Sequence, residues 1–120
     1  MGPEDFRITP LRPADGTMVI EVSGEIDITN GLAFKERLFA ALDEAAARVV
    51  VDLDAAGYVD TTGLSVLLEL AKRCRREGRE LALVCCEGVM RRALANTGLD
   101  QFVTTYATLD EALGHGGQAL

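Results

Sequence analysis

The sequence RVVVDLDAAGYVDTTGL, residues 48–64, carries the strongest structural signal in the chain. Its first part, residues 48–54, is a nearly continuous apolar run, as expected for a strand that is covered on both faces of a sheet. Its last part, residues 60–64, places an acidic residue, two hydroxyls and a glycine just before an apolar helical repeat. We therefore predict a buried strand, a loop and the start of a helix, the unit from which α/β domains are built.

Two strand patterns precede this unit. Residues 18–22 alternate between more and less apolar positions, which predicts a half-buried strand. Residues 6–11 predict an earlier strand, and Pro10 confines that strand to the edge of the sheet because proline has no N–H to donate. The turn signal at residues 13–16 indicates that the two strands form an antiparallel hairpin.

Helix and strand patterns alternate through the rest of the chain. Helices are predicted at residues 30–46, from 64 to near 78, at 89–97 and from 108 onwards, and strands at 81–86 and 102–106. The first helix has an apolar face formed by Phe34, Leu38, Leu42 and Ala45. Thr29 or Asn30 can cap its start, and Thr108 and Glu111 form a capping box at the last helix.

These elements predict one α/β domain, as the length of 120 residues also suggests. Each crossover is long enough to join parallel strands. The sheet should therefore be mixed and mostly parallel, with one antiparallel hairpin at its edge and about four flanking helices. We expect the domain to span residues 5–113, with a disordered N-terminus at 1–4 and a flexible tail at 114–120.

The composition disfavours several kinds of partner. The chain has 12 Lys and Arg against 19 Asp and Glu, which gives a formal net charge of −7. Because an acidic domain repels phosphate backbones, and because this one has no Trp, nucleic acid is not an expected partner. The sequence contains neither a signal-peptide pattern nor an apolar run of membrane-spanning length, so we expect a cytoplasmic protein with no membrane partner.

The sequence does not predict an enzyme, a metal site or a cofactor. Cys74, Cys85 and Cys86 have neither C-x-x-C spacing nor a paired histidine, so we expect small buried hydrophobic residues. No nucleotide-binding loop, zinc motif or nucleophile elbow is found. A phospho-accepting receiver domain would need a late lysine, and no lysine follows Lys72.

Residues 60–64 are the strongest candidate for a functional site. The free N–H groups and the positive dipole end of a helix N-terminus favour negative charge, so a phosphate on Thr62 would be stabilised there. The adjacent Asp60 would oppose that phosphate by repulsion. The alternative interpretation is that Asp60 or one of the threonines is only the N-cap of the helix.

Several motifs in this order resemble the STAS domain of bacterial anti-sigma-factor antagonists, and the resemblance covers roughly residues 5–113. The motifs are GEID at 24–27, VVDL at 50–53, DTTGL at 60–64, LV at 83–84 and TGL at 97–99. Such a domain binds an anti-sigma factor that is also an ATP-dependent serine/threonine kinase, and this binding releases the sigma factor. The kinase then phosphorylates the antagonist on the hydroxyl before the glycine, and a PP2C-type phosphatase restores it.

The resemblance implies that Thr62 is the phosphorylated residue. The implied partner-binding residues are Asp27, Asp60, Thr61, Thr62, Gly63 and Leu64. Gly63 would let the nucleotide site of the kinase approach the backbone closely. Both hydroxyl positions are threonine, whereas the antagonists more often have serine. The alternative role for the same fold is a scaffold or subunit of a stress-sensing complex or of a lipid ABC transporter.

Three features outside these motifs have two interpretations each. The basic cluster at residues 72–79 is either a patch for an acidic partner or a solvated helix end that complements the helix dipole. Val66 and Leu70 either cover a neighbouring helix or join a partner surface with Leu64. Tyr58 is expected to pack against the domain rather than contact a partner.

Overall fold

The computed structural model describes residues 6–43, 45–85 and 88–116. Within them, five strands form one sheet and four α-helices flank it. The strands are β1 (Phe6–Ala14), β2 (Thr17–Ile26), β3 (Arg48–Val59), β4 (Glu80–Val84) and β5 (Thr104–Tyr106). The helices are α1 (Gly31–Ala41), α2 (Thr61–Arg76), α3 (Gly88–Thr97) and α4 (Leu109–Gly116), and a short 3₁₀ helix spans Leu99–Gln101.

The sheet has the strand order β1-β2-β3-β4-β5. β1 and β2 are antiparallel and the remaining neighbours are parallel, which confirms the predicted mixed sheet with an antiparallel edge hairpin. Pro10 lies in the edge strand β1, opposite Ile20. The carboxyl ends of β2 and β3 are adjacent, with Ile26 beside Val59. The loops that follow these two strands therefore leave the sheet side by side.

Both faces of β3 are buried, as its apolar run predicted. Val49 and Val51 belong to the larger core, under α1 and α2, whereas Val50 packs with Ala112 of α4 on the opposite face. The first half of β3 is therefore covered on both faces, whereas most residues from Asp54 to Tyr58 are exposed and lead to the start of α2.

Helix α1 ends earlier than the periodicity predicted. The helix stops at Ala41, and Leu42 has an extended backbone. Leu42 and Ala46 are still buried, but Ala45 is exposed, so the predicted apolar face fails at its last member. Asn30 stands at the N-cap position, yet its side chain does not cap the helix.

The capping box at α4 forms in a modified way. Thr108 Oγ1 accepts a hydrogen bond from the Glu111 N–H at 3.1 Å, as predicted. Glu111 Oε1 accepts from the N–H of Ala107 at 3.1 Å, one residue before the N-cap. Helix α4 extends to Gly116, past residue 113.

Cys74 and Cys85 are buried, as predicted. Burial raises the pKa of the Cys74 thiol, which keeps it protonated at neutral pH. The prediction for Cys86 lies outside the described residues.

Candidate functional site

Asp60 joins β3 to α2 and caps the helix. The N–H of Asp60 donates to the carbonyl of Ile26 at 3.1 Å, which fixes the chain to the end of β2. Asp60 Oδ1 accepts hydrogen bonds from the backbone N–H groups of Thr62, at 2.9 Å, and Gly63, at 3.2 Å. The N-cap interpretation of Asp60 is therefore confirmed, because its carboxylate satisfies two donors that the helix leaves free.

Asp27 begins the loop between β2 and α1. Its Oδ1 accepts hydrogen bonds from the hydroxyl of Thr29 at 2.5 Å and from the Thr29 N–H at 2.9 Å. These bonds hold the pKa of the Asp27 carboxyl below its ordinary value, so this residue carries its charge at neutral pH.

The buried side chain of Asn30 holds the same loop through two hydrogen bonds to the backbone. Asn30 Oδ1 accepts from the N–H of Asp27, and its amide donates to the carbonyl of Glu25, each at 2.9 Å. The side chain predicted as a helix cap is thus used to fix the path of the chain between β2 and α1.

Thr62 lies in the first turn of α2 and touches the first turn of α1. A Cβ atom added to Gly31 would overlap Cγ2 of Thr62, so the threonine methyl group occupies the space above that glycine. Thr62 is half-buried, and its hydroxyl makes no hydrogen bond with any described residue. The methyl contact therefore restrains a side chain whose oxygen has no partner.

Thr61, by contrast, is exposed. Its carbonyl oxygen accepts a hydrogen bond from the Ser65 hydroxyl at 2.9 Å, one turn further along α2. Of the two threonines, Thr62 is the one that contacts a second element of the fold.

Gly63 and Leu64 face the interior. A Cβ on Gly63 would lie 2.6 Å from Val59 Cγ1 and 2.9 Å from Ile26 Cγ2, so a glycine lets α2 approach the sheet. Leu64 is 2% exposed and belongs to the core. Close packing of α2 on the sheet thus requires a glycine at position 63. The resemblance separately implies that this glycine lets a partner approach the backbone.

Large apolar side chains that the sequence patterns did not predict to be exposed lie at the surface beside this site. Ile28 and Leu32 are 79% and 70% exposed, and they flank Gly31 in the chain at the start of α1. The available signal was that both fall outside the apolar face of α1. Tyr58, at 56% exposed, is not packed against the domain, so that prediction was wrong.

We call this region the helix-start surface. It is formed by Asp27, Ile28, Leu32, Asp60, Thr61 and Thr62. It combines two carboxylates, two hydroxyls and an exposed apolar pair at the carboxyl end of the sheet, where ligands and partners of α/β folds commonly bind.

One further interpretation from the sequence is settled by the packing of α2. Val66 and Leu70 are both buried, so they belong to the core and not to a partner surface. In the described part of the chain, no three of the residues His, Cys, Asp and Glu cluster as a metal site would require. No helix there is long and apolar enough to cross a membrane.

Comparison with known proteins identifies the class of fold. The sequence model of the STAS domain matches residues 10–112, and the chain belongs to that family, as the motifs indicated. It is 25% identical over 111 residues to the anti-sigma-F factor antagonist RsfB of Mycobacterium tuberculosis, which is 92% of this chain and 89% of that one. The antagonist RsfA of the same organism is 28% identical over 101 residues, 82% of this chain and 79% of its own.

A solved structure agrees with these relatives. The crystal structure of an anti-sigma factor antagonist from Mycobacterium paratuberculosis superposes with a TM-score of 0.76 and 32% identity. The match covers 91% of this chain and 93% of the other.

Proposed function

We propose that this chain is an anti-sigma-factor antagonist that uses the helix-start surface to bind an anti-sigma-factor kinase. Binding releases a sigma factor, and phosphorylation of Thr62 ends the interaction until a PP2C-type phosphatase removes the phosphate. The observation that carries the proposal is the position of Thr62, which follows the Asp60 cap in α2 and touches Gly31 at the start of α1, while its hydroxyl makes no hydrogen bond with a described residue. The relatives named as anti-sigma-factor antagonists support the same role.

The chemistry of the switch follows from that position. The kinase transfers the γ-phosphoryl group of ATP to the Thr62 oxygen, and the hydroxyl proton is released. The product carries about −1.5 to −2 charges at neutral pH. The dipole of α2 stabilises this charge, which helps the protein to tolerate the phosphate. Asp27 and Asp60 nevertheless make the same surface strongly negative.

The exposed apolar pair explains why the phosphate would disrupt binding. Ile28 and Leu32 offer the area that a partner can bury, and they flank the glycine that contacts Thr62. A partner that covers this pair removes water from its surroundings, and a phosphate placed there loses its hydration without gaining a counter-charge. Every 1.4 kcal/mol or so of such a penalty weakens binding about tenfold.

The test uses variants that preserve the shape of each side chain. Thr62→Val keeps the branched shape that fills the space above Gly31 and removes only the hydroxyl. Thr61→Val is the matched control at the exposed neighbour. With the kinase that co-purifies with the chain and ATP, we expect mass spectrometry to find phosphate on wild type and Thr61→Val but not on Thr62→Val.

Measurements of binding to the kinase complete the test. Thr62→Val should still bind the kinase, whereas the wild-type protein phosphorylated in vitro should not. Phosphate on Thr61, or a phosphorylated protein that binds as well as the unmodified one, would refute the proposal. If the chain instead co-purified with transporter subunits or other STAS proteins, the scaffold role would be favoured.

A further inference from the structure

The second half of α2 and the turn that follows it carry basic residues of two kinds. Arg73 and Arg79 are engaged within the domain: Arg73 Nε lies 3.1 Å from Glu77 Oε2, and Arg79 Nη1 donates to the carbonyl of Asp43 at 2.7 Å. Arg79 Nε also lies 3.0 Å from Glu77 Oε1. These two arginines serve the fold, because they fix the end of α2 to its surroundings.

The other three cations of this half make no ion pair with a described carboxylate. They are Lys72, Arg75 and Arg76, all exposed. The i, i+3 spacing of Lys72 and Arg75 places these two on one face of the helix. In a chain with 19 acidic and 12 basic residues, carboxylates are in excess, so Lys72 and Arg75, which form no ion pair with a described carboxylate, leave a locally positive surface on a negative molecule. Arg76 differs from them, because after Arg73 it helps to lower the pKa of the neighbouring Glu77 carboxyl.

Arg75 lines a depression of about 300 Å³ between α2 and the segment that leads into β5, whereas Arg76 lies on the other side of the helix, beside Phe39 and Glu69. Leu81, Phe102 and Val103 give it apolar walls, while Gln101 and Thr104 add hydrogen-bonding groups. Lys72 and Arg75 approach the ring of Phe102, at 5.9 and 5.2 Å from its centroid. Glu80 also lines the depression, and its Oε1 lies 3.4 Å from Arg48 Nε.

We propose that Lys72, Arg75 and this depression form a binding groove for an acidic segment of a partner protein. Arginine presents a planar set of donors that matches a carboxylate, and Lys72 beside Arg75 can meet a second carboxylate of the same peptide. The apolar walls accept a hydrophobic side chain of the same segment. We call this region the basic groove.

Charge and shape favour a peptide over other anions. A net charge of −7 disfavours both nucleic acid and an anionic membrane, whose extended charge would meet the whole molecule. A short peptide meets only the local field of the groove. A recessed site with apolar walls also suits a side chain better than a flat lipid surface.

The basic groove is separate from the helix-start surface. Thr62 and Arg75 lie on the same helix, and a rise of 1.5 Å per residue places them about 20 Å apart. A partner can therefore occupy the groove whether or not the other surface is engaged, so this inference does not depend on the proposed function.

The test uses a short fluorescein-labelled peptide of alternating glutamate and leucine as the probe. We expect wild-type protein to bind it with an affinity that falls as salt rises, and expect the Lys72→Glu/Arg75→Glu variant to bind it at least about tenfold more weakly. Arg7→Glu/Arg92→Glu makes the same change in net charge at exposed arginines elsewhere and should bind within about twofold of wild type.

A second measurement, of amide resonances, uses only the wild-type protein, so its result does not depend on whether the variant folds. The unlabelled peptide should shift the amide resonances of residues 72–76 and 101–104 in the wild-type protein and leave residues 26–32 unchanged. The inference would be overturned if both variants bound the peptide equally weakly, or if a glutamine–leucine peptide bound as well as the glutamate–leucine peptide. It would also be overturned by resonance shifts centred elsewhere in the protein, or by tighter binding to phosphatidylserine vesicles than to the peptide.

Discussion

Gly63 shows how one absent side chain sets the distance between a helix and a sheet. Its Cα faces Val59 and Ile26 at the ends of two neighbouring strands, and no room is left for a methyl group. The glycine lies immediately after Thr62. The close packing of α2 on the sheet therefore also fixes the distance between the Thr62 hydroxyl and the sheet.

We predict that Gly63→Ala lowers the free energy of unfolding by about 1–3 kcal/mol, because the new methyl group must displace two packed side chains. Gly114→Ala in α4 is the matched control, since its Cβ would meet no atom within 4 Å. That variant should be neutral or gain up to about 1 kcal/mol from its better helix propensity. Urea denaturation checks both, and equal stability of the two variants would contradict the packing argument.

The residues of the candidate site were only partly predictable from the sequence. Asp60 and the two threonines could be identified because an acidic and hydroxyl-rich run before a helix is a local signal. The exposure of Ile28 and Leu32 was only partly predictable. Leu32 falls outside the apolar face of the predicted helix and Ile28 precedes that helix, but neither fact shows whether another element covers the side chain. Only the path of α1 across the sheet determines which of its faces stays uncovered.

The observed bounds of β3 and α1 differ from the predicted ones because contacts with distant parts of the chain decide where each element ends. β3 was predicted to end at Asp54 but continues to Val59 through AAGYV, because β2 supplies a parallel partner as far as Ile26. α1 ends at Ala41 instead of residue 46, although Leu42 and Ala46 remain buried. Pairing and burial, which depend on distant parts of the chain, overrode the local pattern in both cases.

One leucine in each helix of the site allows a buried position to be compared with an exposed one. Leu70 of α2 is fully buried, whereas Leu32 of α1 is exposed. We predict that Leu70→Ala lowers the free energy of unfolding by about 2–5 kcal/mol. Leu32→Ala should change it by less than about 0.5 kcal/mol but weaken binding to the kinase. Chemical denaturation and a pull-down from the native lysate measure the two effects.

Replacing leucine by alanine should therefore affect stability at the core position and kinase binding at the contact position. Leu11→Ala, at an exposed leucine in β1, serves as the control for binding, because it lies outside the helix-start surface. Kinase binding that is equally strong in Leu32→Ala and Leu11→Ala would remove α1 from the proposed contact.

At the scale of the whole molecule, stability depends on pH through carboxylates whose pKa the fold lowers, and three of them lie among the described residues. Hydrogen bonds from Thr29 lower the pKa of Asp27, the Ala45 N–H and Arg12 lower that of Asp43, and Arg73 lowers that of Glu77. A lowered pKa in the folded state means that the unfolded chain binds more protons in acid. The stability that these groups contribute is therefore present above their ordinary pKa values near 4 and is lost as the pH falls through the lowered values.

We predict that the urea midpoint falls steadily as the pH is lowered from about 5 to 3. Asp43→Asn should flatten this dependence, because it removes a carboxylate that lies 2.7 Å from Arg12 Nε. Asp54→Asn removes an exposed charge that forms no ion pair with a described residue, and it controls for net charge. A midpoint that is constant over this range, or the same curve for both variants, would be inconsistent with these contacts.

The two borders of the sheet have a consequence for behaviour at high concentration. β1 carries Pro10 and an irregular register between Leu11 and Ala14, and β5 is only three residues long. Neither border offers a long regular row of free N–H and C=O groups on which a strand of another molecule could add. The sheet is therefore poorly suited to grow by stacking copies edge to edge, and concentrated samples should resist the formation of β-rich aggregates.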